Sequence, residues 1–249
     1  KIKINTMLRL VKNTIILFVG IFLFVGCETE SKLPAEYINP IIGTGGHGHT
    51  FPGATTPFGM VQLSPDTRKD SWDGCSGYHY SDDYILGFSH MHLSGTGVGD
   101  YGDIRFVPMV GELRIQPGNS NNAEAGYGSK FSHKNEKATA GYYSVNLDNS
   151  INVELTATQR VGFHKYSFPK TDTARILIDL IESVVTEKIL DAEIKFLSDH
   201  EVIGFRRTKA WANNQVVFFY ANFSKPFVSQ GIVVNGEFKN NKDLAQADS

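Results

Sequence analysis

A stretch rich in glycine and histidine, from Ile41 to Asp103, constrains this chain more than any other part of its sequence. It opens with Ile41-Ile-Gly-Thr-Gly-Gly-His-Gly-His-Thr-Phe-Pro-Gly53 and holds five of the eight histidines. Glycine and proline recur too often for a continuous helix, and the aromatic residues do not follow one helical face. The composition is typical of a binding surface built from loops, because glycine lets the backbone approach a ligand closely. The alternative is a long irregular connection whose histidines bond to their own backbone.

The side chains of this stretch suit a sugar better than the other ligands considered. Aromatic rings can stack on sugar C–H surfaces, and carboxylates can accept hydroxyl protons. His47-Gly-His49 and His90-Met-His92, with Asp100 and Asp103, could instead hold a metal ion, although such pairs are common in loops. Ser76 and Ser94 do not lie in a Gly-x-Ser-x-Gly motif. The glycines from 95 to 99 are not followed by the helix that a dinucleotide site requires.

Composition and length set the wider limits. The chain has 249 residues and a formal net charge of −2, so it can bury a substantial core but lacks the basic face that nucleic acid would require.

The N-terminus has the pattern of an export signal over residues 1–27. Met7 is the suspected start, Arg9 and Lys12 form a basic region, and an apolar run follows that is short for a membrane span. Phe24-Val-Gly-Cys27 resembles a bacterial lipobox, which predicts that Cys27 becomes a lipidated N-terminus and anchors an exported protein at the outer membrane or cell surface. A plain signal peptide is the alternative. Residues 28–36 then form a tether.

Only two cysteines are present. With Cys27 lipidated, Cys75 has no partner in the chain, so we expect no intramolecular disulfide. Cys75 is then either a small buried side chain or a thiol that lines the site.

Most of the remaining chain has the alternation of β-strands. Residues 151–158 alternate most clearly, and Asn235-Gly236 between apolar runs predicts a hairpin. Residues 183–192 are predicted as strand and loop rather than helix. The other predicted strands are 37–42, 60–64, 85–92, 104–110, 112–115, 142–147, 161–168, 174–181, 193–197, 202–206 and 215–220.

Three further expectations follow from these patterns. His90 and His92, two apart on a strand, should project from one face. The run 215–220 is apolar throughout and should be a central strand. The polar end, 240–249, should carry no closing strand, which leaves either a loose tail or a fragment of something longer. The predicted architecture is all-β, one domain with two packed antiparallel sheets.

Four ordered motifs resemble the N-terminal domain of glycoside hydrolase family 92. They are Tyr37-Ile-Asn-Pro-Ile-Ile-Gly-Thr-Gly-Gly-His-Gly-His-Thr-Phe-Pro-Gly-Ala54, Pro57-Phe-Gly-Met-Val-Gln-Leu-Ser-Pro-Asp66, Trp72-Asp-Gly-Cys-Ser-Gly-Tyr-His-Tyr80 and Gly87-Phe-Ser-His-Met-His-Leu-Ser-Gly-Thr-Gly97. Shorter matches follow, including Gly99-Asp-Tyr-Gly-Asp103 and Gly204-Phe-Arg-Arg207. The resemblance covers residues 37–249.

This resemblance implies a large β-sandwich of the galactose-mutarotase-like kind in an exo-acting, inverting, calcium-dependent α-mannosidase. It also implies that the general acid, the general base and the calcium ligands belong mainly to a helical domain that this chain lacks. The mannose pocket of the family lies between the two domains, and Trp72 matches a tryptophan that lines it. The other positions matched to the sugar site are Asp73, Cys75, His79, His90, His92, Asp100 and Asp103.

Two functions of different classes follow. The chain is either the N-terminal part of an α-mannosidase, active only with the helical domain, or a stand-alone module that binds carbohydrate without catalysis. In both, its partners are mannose-containing glycans.

Overall fold

A computed structural model describes residues 3–4, 7–9, 11–13, 31–186, 188–240 and 244–248 of the protein. Of the predicted export signal, residues 7–9 and 11–13 are helical, whereas the apolar run and Cys27 lie outside the described residues. The chain divides into two compact units, Lys1–Tyr37 and Ile38–Ser249.

The strand predicted over 37–42 is not formed. A 3₁₀ helix occupies Pro34–Tyr37, and turns follow from residue 40 to residue 47. The Asn39 side chain accepts a hydrogen bond from the Ile41 N–H (3.1 Å), and its carbonyl accepts one from Ile42 (3.2 Å). Such a side-chain turn competes with extended backbone, so Asn39-Pro40 overrides the apolar pattern here.

Sixteen strands are assigned among the described residues. In chain order they are β1 Ala54–Thr55, β2 Gln62–Asp66, β3 Tyr84–Ile85, β4 Gly87–Ser89, β5 Arg105–Met109, β6 Ser129–Thr139, β7 Tyr142–Leu147, β8 Asn152–Ala157, β9 Gly162–Ser167, β10 Arg175–Asp179, β11 Lys188–Phe196, β12 Glu201–Lys209, β13 Gln215–Asn222, β14 Gly231–Val234, β15 Glu237–Asn240 and β16 Leu244–Asp248. A second 3₁₀ turn lies at Ala123–Ala125.

All strand pairs of the described chain are antiparallel. The first sheet has the order β1-β2-β4-β5-β10, the second β3-β6-β7-β8-β9, and the third β13-β12-β11-β16, while β14 and β15 form a hairpin. The all-β antiparallel prediction is therefore confirmed, with a third sheet in addition to the predicted two.

Two apolar cores cover one face of the first sheet. Leu63 and Phe88 pack with Val145 and Val153 of the second sheet. Phe106 of β5 packs instead with Ala192 and Val217 of the third sheet. Because Phe88 and Phe106 are directly paired, they share a face of the first sheet, so the second and third sheets lie side by side against it.

Local alternation predicted most strands well. Strand β7 matches its prediction, and β8, β9 and β10 differ by one or two residues at their ends. No helix forms among the described residues of 183–192, as expected. The hairpin is confirmed, with φ of +53° at Asn235 and +79° at Gly236, as a type I′ turn requires.

Other strand predictions are wrong. Residues 112–115 form no strand, while β6, the longest strand at 11 residues, was not predicted. Strand β13 lies at an edge of the third sheet rather than at its centre, and Phe218 on its outer face is 74% exposed. The C-terminal segment does contain a strand, since β16 pairs with β11.

Candidate functional site

The indole of Trp72 contacts two histidine rings and remains largely open to solvent. The ring of His49 meets it edge-on at 4.5 Å, and the ring of His47 lies at 5.0 Å with a tilt of 49°. Trp72 is nevertheless 60% exposed. It stands in a tight turn, in which the Cys75 N–H donates to the Trp72 carbonyl at 3.3 Å. An exposed, immobilised aromatic face of this kind suits the stacking of a flat apolar surface.

The glycine-rich loop brings both histidines to Trp72 by folding back on itself. The Thr50 N–H donates to the Gly43 carbonyl at 3.3 Å. A Cβ on Gly48 would lie 2.0 Å from that carbonyl oxygen, so only glycine fits at this crossing. His49 follows directly, in the left-handed region with φ of +56°. Its carbonyl accepts a hydrogen bond from the Gly95 N–H at 2.6 Å, which ties the loop to the segment after His92.

Asp73 supplies the negative charge of this site. Its Oδ1 accepts a hydrogen bond from His47 Nδ1 at 2.5 Å, and this bond lowers the pKa of the Asp73 carboxyl. His49 Nε2 lies 4.0 Å from the same oxygen, is buried, and has no hydrogen-bond partner among the described residues. Trp72, Asp73, His47 and His49 therefore form one cluster, which we call the Trp72 cluster.

Cys75 and His79 lie beneath the loops that carry this cluster. Cys75 is a free thiol, and burial raises its pKa, so it is protonated at neutral pH. The His79 ring bonds to Ser81 Oγ at 2.9 Å and to the Gly46 carbonyl at 3.2 Å. These contacts fix the position of the glycine-rich loop and leave neither side chain exposed on the Trp72 face.

The two histidines predicted to share a face do not. Strand β4 ends at Ser89, and His90 packs on Phe106 at 5.3 Å, on the side of the apolar cores. His92 Nε2 bonds to Asp66 Oδ1 at 2.8 Å. The neighbour of Asp66, Pro65, pairs with Phe88, so strand alternation places Asp66 on the opposite side of the sheet. The prediction that His90 and His92 project from one face is wrong because strand β4 ends at Ser89, before both histidines.

The four remaining sequence-predicted residues all have partners away from Trp72. His92 belongs to a fully buried network with Asp66, Ser89 and Arg105, in which Arg105 Nε lies 2.9 Å from Asp66 Oδ2. His90 Nε2 bonds to His164 Nε2. Asp103 is buried and contacts Arg206 Nη1 at 2.9 Å and Gln215 Nε2 at 2.8 Å. Asp100 is buried and accepts the N–H of Tyr101.

A buried carboxylate that sequence reasoning missed anchors the Trp72 motif to the second sheet. Glu136 accepts hydrogen bonds from Tyr78 OH at 2.9 Å, Tyr143 OH at 2.7 Å and His133 Nδ1 at 2.8 Å. Tyr80 stacks on His133 at 4.1 Å. Glu136 lies in β6, the unpredicted strand, so no alternation marked it as inward-facing.

Nothing in the described part of the chain fits a metal ion. No group of three or more His, Cys, Asp and Glu side chains is placed to hold one. The carboxylates of Asp66, Asp73 and Asp103 are already committed to hydrogen bonds or ion pairs. Among the described residues, the structure does not bring His47, His49, His90, His92, Asp100 and Asp103 together as one metal site. Among the helical segments that the structure describes, none is long and apolar enough to cross a membrane.

Comparison with known proteins identifies the class. The model of the glycosyl hydrolase family 92 N-terminal domain matches residues 37–249. The chain therefore belongs to glycosyl hydrolase family 92, and the part that matches is the N-terminal domain of that family.

Individual relatives agree. A family 92 α-mannosidase from Bacteroides thetaiotaomicron, solved with mannoimidazole, is 34% identical with a TM-score of 0.81, over 85% of this chain and 29% of that structure. An inverting family 92 mannosidase of the same organism is 26% identical with a TM-score of 0.71, over 88% and 29%. A protein of Arthroderma benhamiae described as an uncharacterized secreted glycosidase is 30% identical over 59% of this chain and 20% of its own length. The chain thus spans less than a third of the length of these relatives.

Proposed function

We propose that this chain is the carbohydrate-contacting N-terminal part of an exported, inverting α-mannosidase that removes terminal α-linked mannose from glycans. The observation that carries the proposal is the exposed indole of Trp72, which contacts the rings of His47 and His49, with the Asp73 carboxylate bonded to His47. The match to a family whose solved members include α-mannosidases supports the choice of sugar.

The Trp72 cluster can bind and orient a pyranose. The indole face excludes water from the apolar C–H surface of the sugar, which contributes about 25 cal/mol per Å² of apolar area buried. The ionised Asp73 carboxylate accepts protons from hydroxyl groups, and such charge-assisted bonds are stronger than neutral ones. The held aromatic ring fixes the plane of the sugar, and the carboxylate fixes its rotation in that plane.

Hydrolysis with inversion needs two further groups. A general acid and a general base must lie about 6.5–9.5 Å apart on either side of the scissile bond, with the attacking water between them. The Trp72 cluster has one carboxylate, and His47 already donates to it. We therefore propose that the catalytic pair and the calcium ligands of the family belong to a helical domain that acts together with this chain. This chain then forms one wall of the mannose pocket.

One wall alone should bind weakly, with a dissociation constant of about 1 mM or more, or about −4 kcal/mol. The test uses the two tryptophans of the chain. In Trp211→Phe, Trp72 is the sole tryptophan, and mannose should shift its fluorescence in a saturable manner. Trp72→Ala should abolish the mannose-induced shifts in amide NMR spectra, while Trp211→Ala, equally exposed at 66%, should retain them.

The thermal midpoint controls for folding. Trp72 is largely exposed, so Trp72→Ala should keep a midpoint close to the parent value. A collapsed midpoint would mean that Trp72 supports the fold rather than a ligand. Mannose shifts that persist in Trp72→Ala would overturn the proposed site.

A further inference from the structure

His49 carries two features that its role as a wall of the Trp72 cluster does not require. Its side chain is only 8% exposed, yet Nε2 has no hydrogen-bond partner among the described residues. Leaving a buried polar atom unpaired costs stability. Its backbone also holds a left-handed conformation, which is unfavourable for a residue with a side chain. The unpaired nitrogen and the left-handed backbone therefore both destabilise the protein at one residue. Strain of this kind tends to cluster at ligand sites.

The surroundings of His49 explain how its ring is held. The Gly95 N–H bonds to its carbonyl, the imidazole and the Trp72 indole meet edge to face, and Gly97 lies next to both rings. A Cβ on Gly97 would lie 3.4 Å from His49 Nδ1 and 3.4 Å from Trp72 Nε1. The ring is therefore packed against the tryptophan, and its Nε2 atom lies near Asp73.

The distance between the two polar atoms suits a single hydroxyl group, which reaches the buried Nε2 atom only when the atoms that cover it move aside. His49 Nε2 and Asp73 Oδ1 are 4.0 Å apart, too far for a direct bond. An oxygen at about 2.8 Å from both atoms, an ordinary hydrogen-bond distance, would see them at an angle close to 90°. A hydroxyl can accept from Nε2–H through a lone pair and donate its own proton to the carboxylate at such an angle.

We propose that His49 and Asp73 together bind one hydroxyl group of the pyranose that stacks on Trp72, which makes His49 a specificity-determining residue. This inference rests on the proposed function, because Trp72 supplies the sugar. A sugar that lacks the hydroxyl, or presents it on the other side of its ring, leaves His49 Nε2 buried and unpaired. The pair therefore discriminates between sugars of equal apolar surface.

The test is a double-mutant cycle in which one change is made in the protein and the other in the sugar. The ligand panel is mannose with its 2-, 3-, 4- and 6-deoxy analogues, and the protein variant is His49→Asn. Asparagine tolerates the left-handed backbone but is too short to place a donor at Nε2. We expect one deoxy analogue to bind the parent protein about threefold to tenfold more weakly than mannose, as one hydrogen bond allows. In His49→Asn, the preference for mannose over that analogue should shrink, because the hydroxyl then has only Asp73 left as a partner.

Two further measurements keep the test decisive. Asp73→Asn replaces the charged acceptor of the same hydroxyl and should also reduce the preference for it, which covers a failure of His49→Asn to fold. In the parent protein, the ¹⁵N resonance of His49 Nε2 should shift with mannose but not with that deoxy analogue.

The outcomes separate the two proposals. If the parent protein binds no mannose, or binds it independently of Trp72, the proposed function fails. If binding depends on Trp72 but His49→Asn weakens every sugar by the same factor, or none, only the inference about His49 is overturned.

Discussion

The Nε2 atoms of His90 and His164 lie 3.0 Å apart in the interior, and each ring has one further partner. His90 Nδ1 donates to the Ile104 carbonyl at 2.8 Å, and His164 Nδ1 lies 2.7 Å from Tyr166 OH. With His90 protonated on Nδ1, its Nε2 accepts from His164 Nε2–H, and His164 Nδ1 accepts from the tyrosine. This chain of bonds exists only while both rings are neutral.

Acid should therefore destabilise the protein through this pair. Burial lowers the pKa of His90 to about 4, and burial followed by the proximity of His90 lowers the pKa of His164 well below its ordinary value. Histidines in the unfolded chain have a pKa of about 6.5, so between about pH 6.5 and pH 4 the unfolded state binds more protons. The pair therefore makes its full contribution to stability above about pH 6.5, and the free energy of unfolding falls as the pH drops from about 6.5 to about 4. His90 alone contributes about 2 kcal/mol of loss between about pH 7.5 and pH 5.

Chemical denaturation across this pH range measures the effect. Replacing both histidines by phenylalanine removes both groups and should flatten the pH dependence. An unchanged slope in the double variant would contradict the assignment to this pair.

Asp66 should be among the most sensitive polar positions of the fold. Burial disfavours its charge, but Arg105 and the hydrogen bond from His92 outweigh that cost, so the pKa of Asp66 is lowered. Asp66→Asn removes the carboxylate that pairs directly with the buried Arg105 and should cost about 3–5 kcal/mol in urea unfolding. The matched control is Glu182→Gln, which breaks the partly exposed pair with Lys69 and should cost about 1 kcal/mol or less. Equal losses in the two variants would refute the central role of Asp66.

Gly48→Ala should disrupt the glycine-rich loop. The added Cβ meets the Gly43 carbonyl oxygen, and the backbone must move, so we expect a loss of more than about 2 kcal/mol together with the loss of mannose binding. Gly45→Ala meets only ordinary contact with Tyr80 at 3.5 Å and should stay within about 0.5 kcal/mol of the parent. Thermal unfolding and mannose titration of the two variants check this, and a stable Gly48→Ala that binds mannose would contradict the loop geometry.

Cys27 should determine membrane attachment. The lipobox pattern predicts a diacyl anchor on Cys27, and two acyl chains are enough for stable anchoring. Cys27→Ser should move the protein from the detergent phase to the aqueous phase in partitioning of cell extracts, with Cys75→Ser as the control that stays anchored. Retention of Cys27→Ser in the detergent phase would rule out the lipobox.

The chain by itself should not hydrolyse mannosides. Without a general acid and base, a factor of about 10²–10⁴ per group is lost. Assays on α-linked mannobiose with calcium and with a chelator should both show no turnover, while a complete family 92 mannosidase serves as the positive control. Calcium-dependent turnover by the purified chain would place the catalytic carboxylates within it.

The sequence alone determined many of the strands, the hairpin turn and the family. Period-two alternation is a local property, so β7 and β8 could be predicted nearly to the residue. The hairpin at Asn235-Gly236 followed from the residues that tolerate positive φ. The resemblance of the motifs from Tyr37 to Gly97 to those of the family was enough to identify it, and the same resemblance singled out Trp72.

Only the tertiary structure decided which partners the residues singled out in the sequence contact. The contact of His47 with Asp73 joins residues 26 apart, and that of Asp103 with Arg206 joins residues 103 apart. These contacts depend on how loops fold over sheets, which no local pattern encodes. The order of the strands in a sheet is also decided by the tertiary structure. The apolar run of β13 would look the same in a central strand and in an edge strand, and β13 lies at the edge through its pairing with β12. His49 is the clearest example. Its sequence neighbours indicate a loop, whereas the role that we propose for it depends on an unpaired nitrogen 4.0 Å from a carboxylate that only the folded chain brings near.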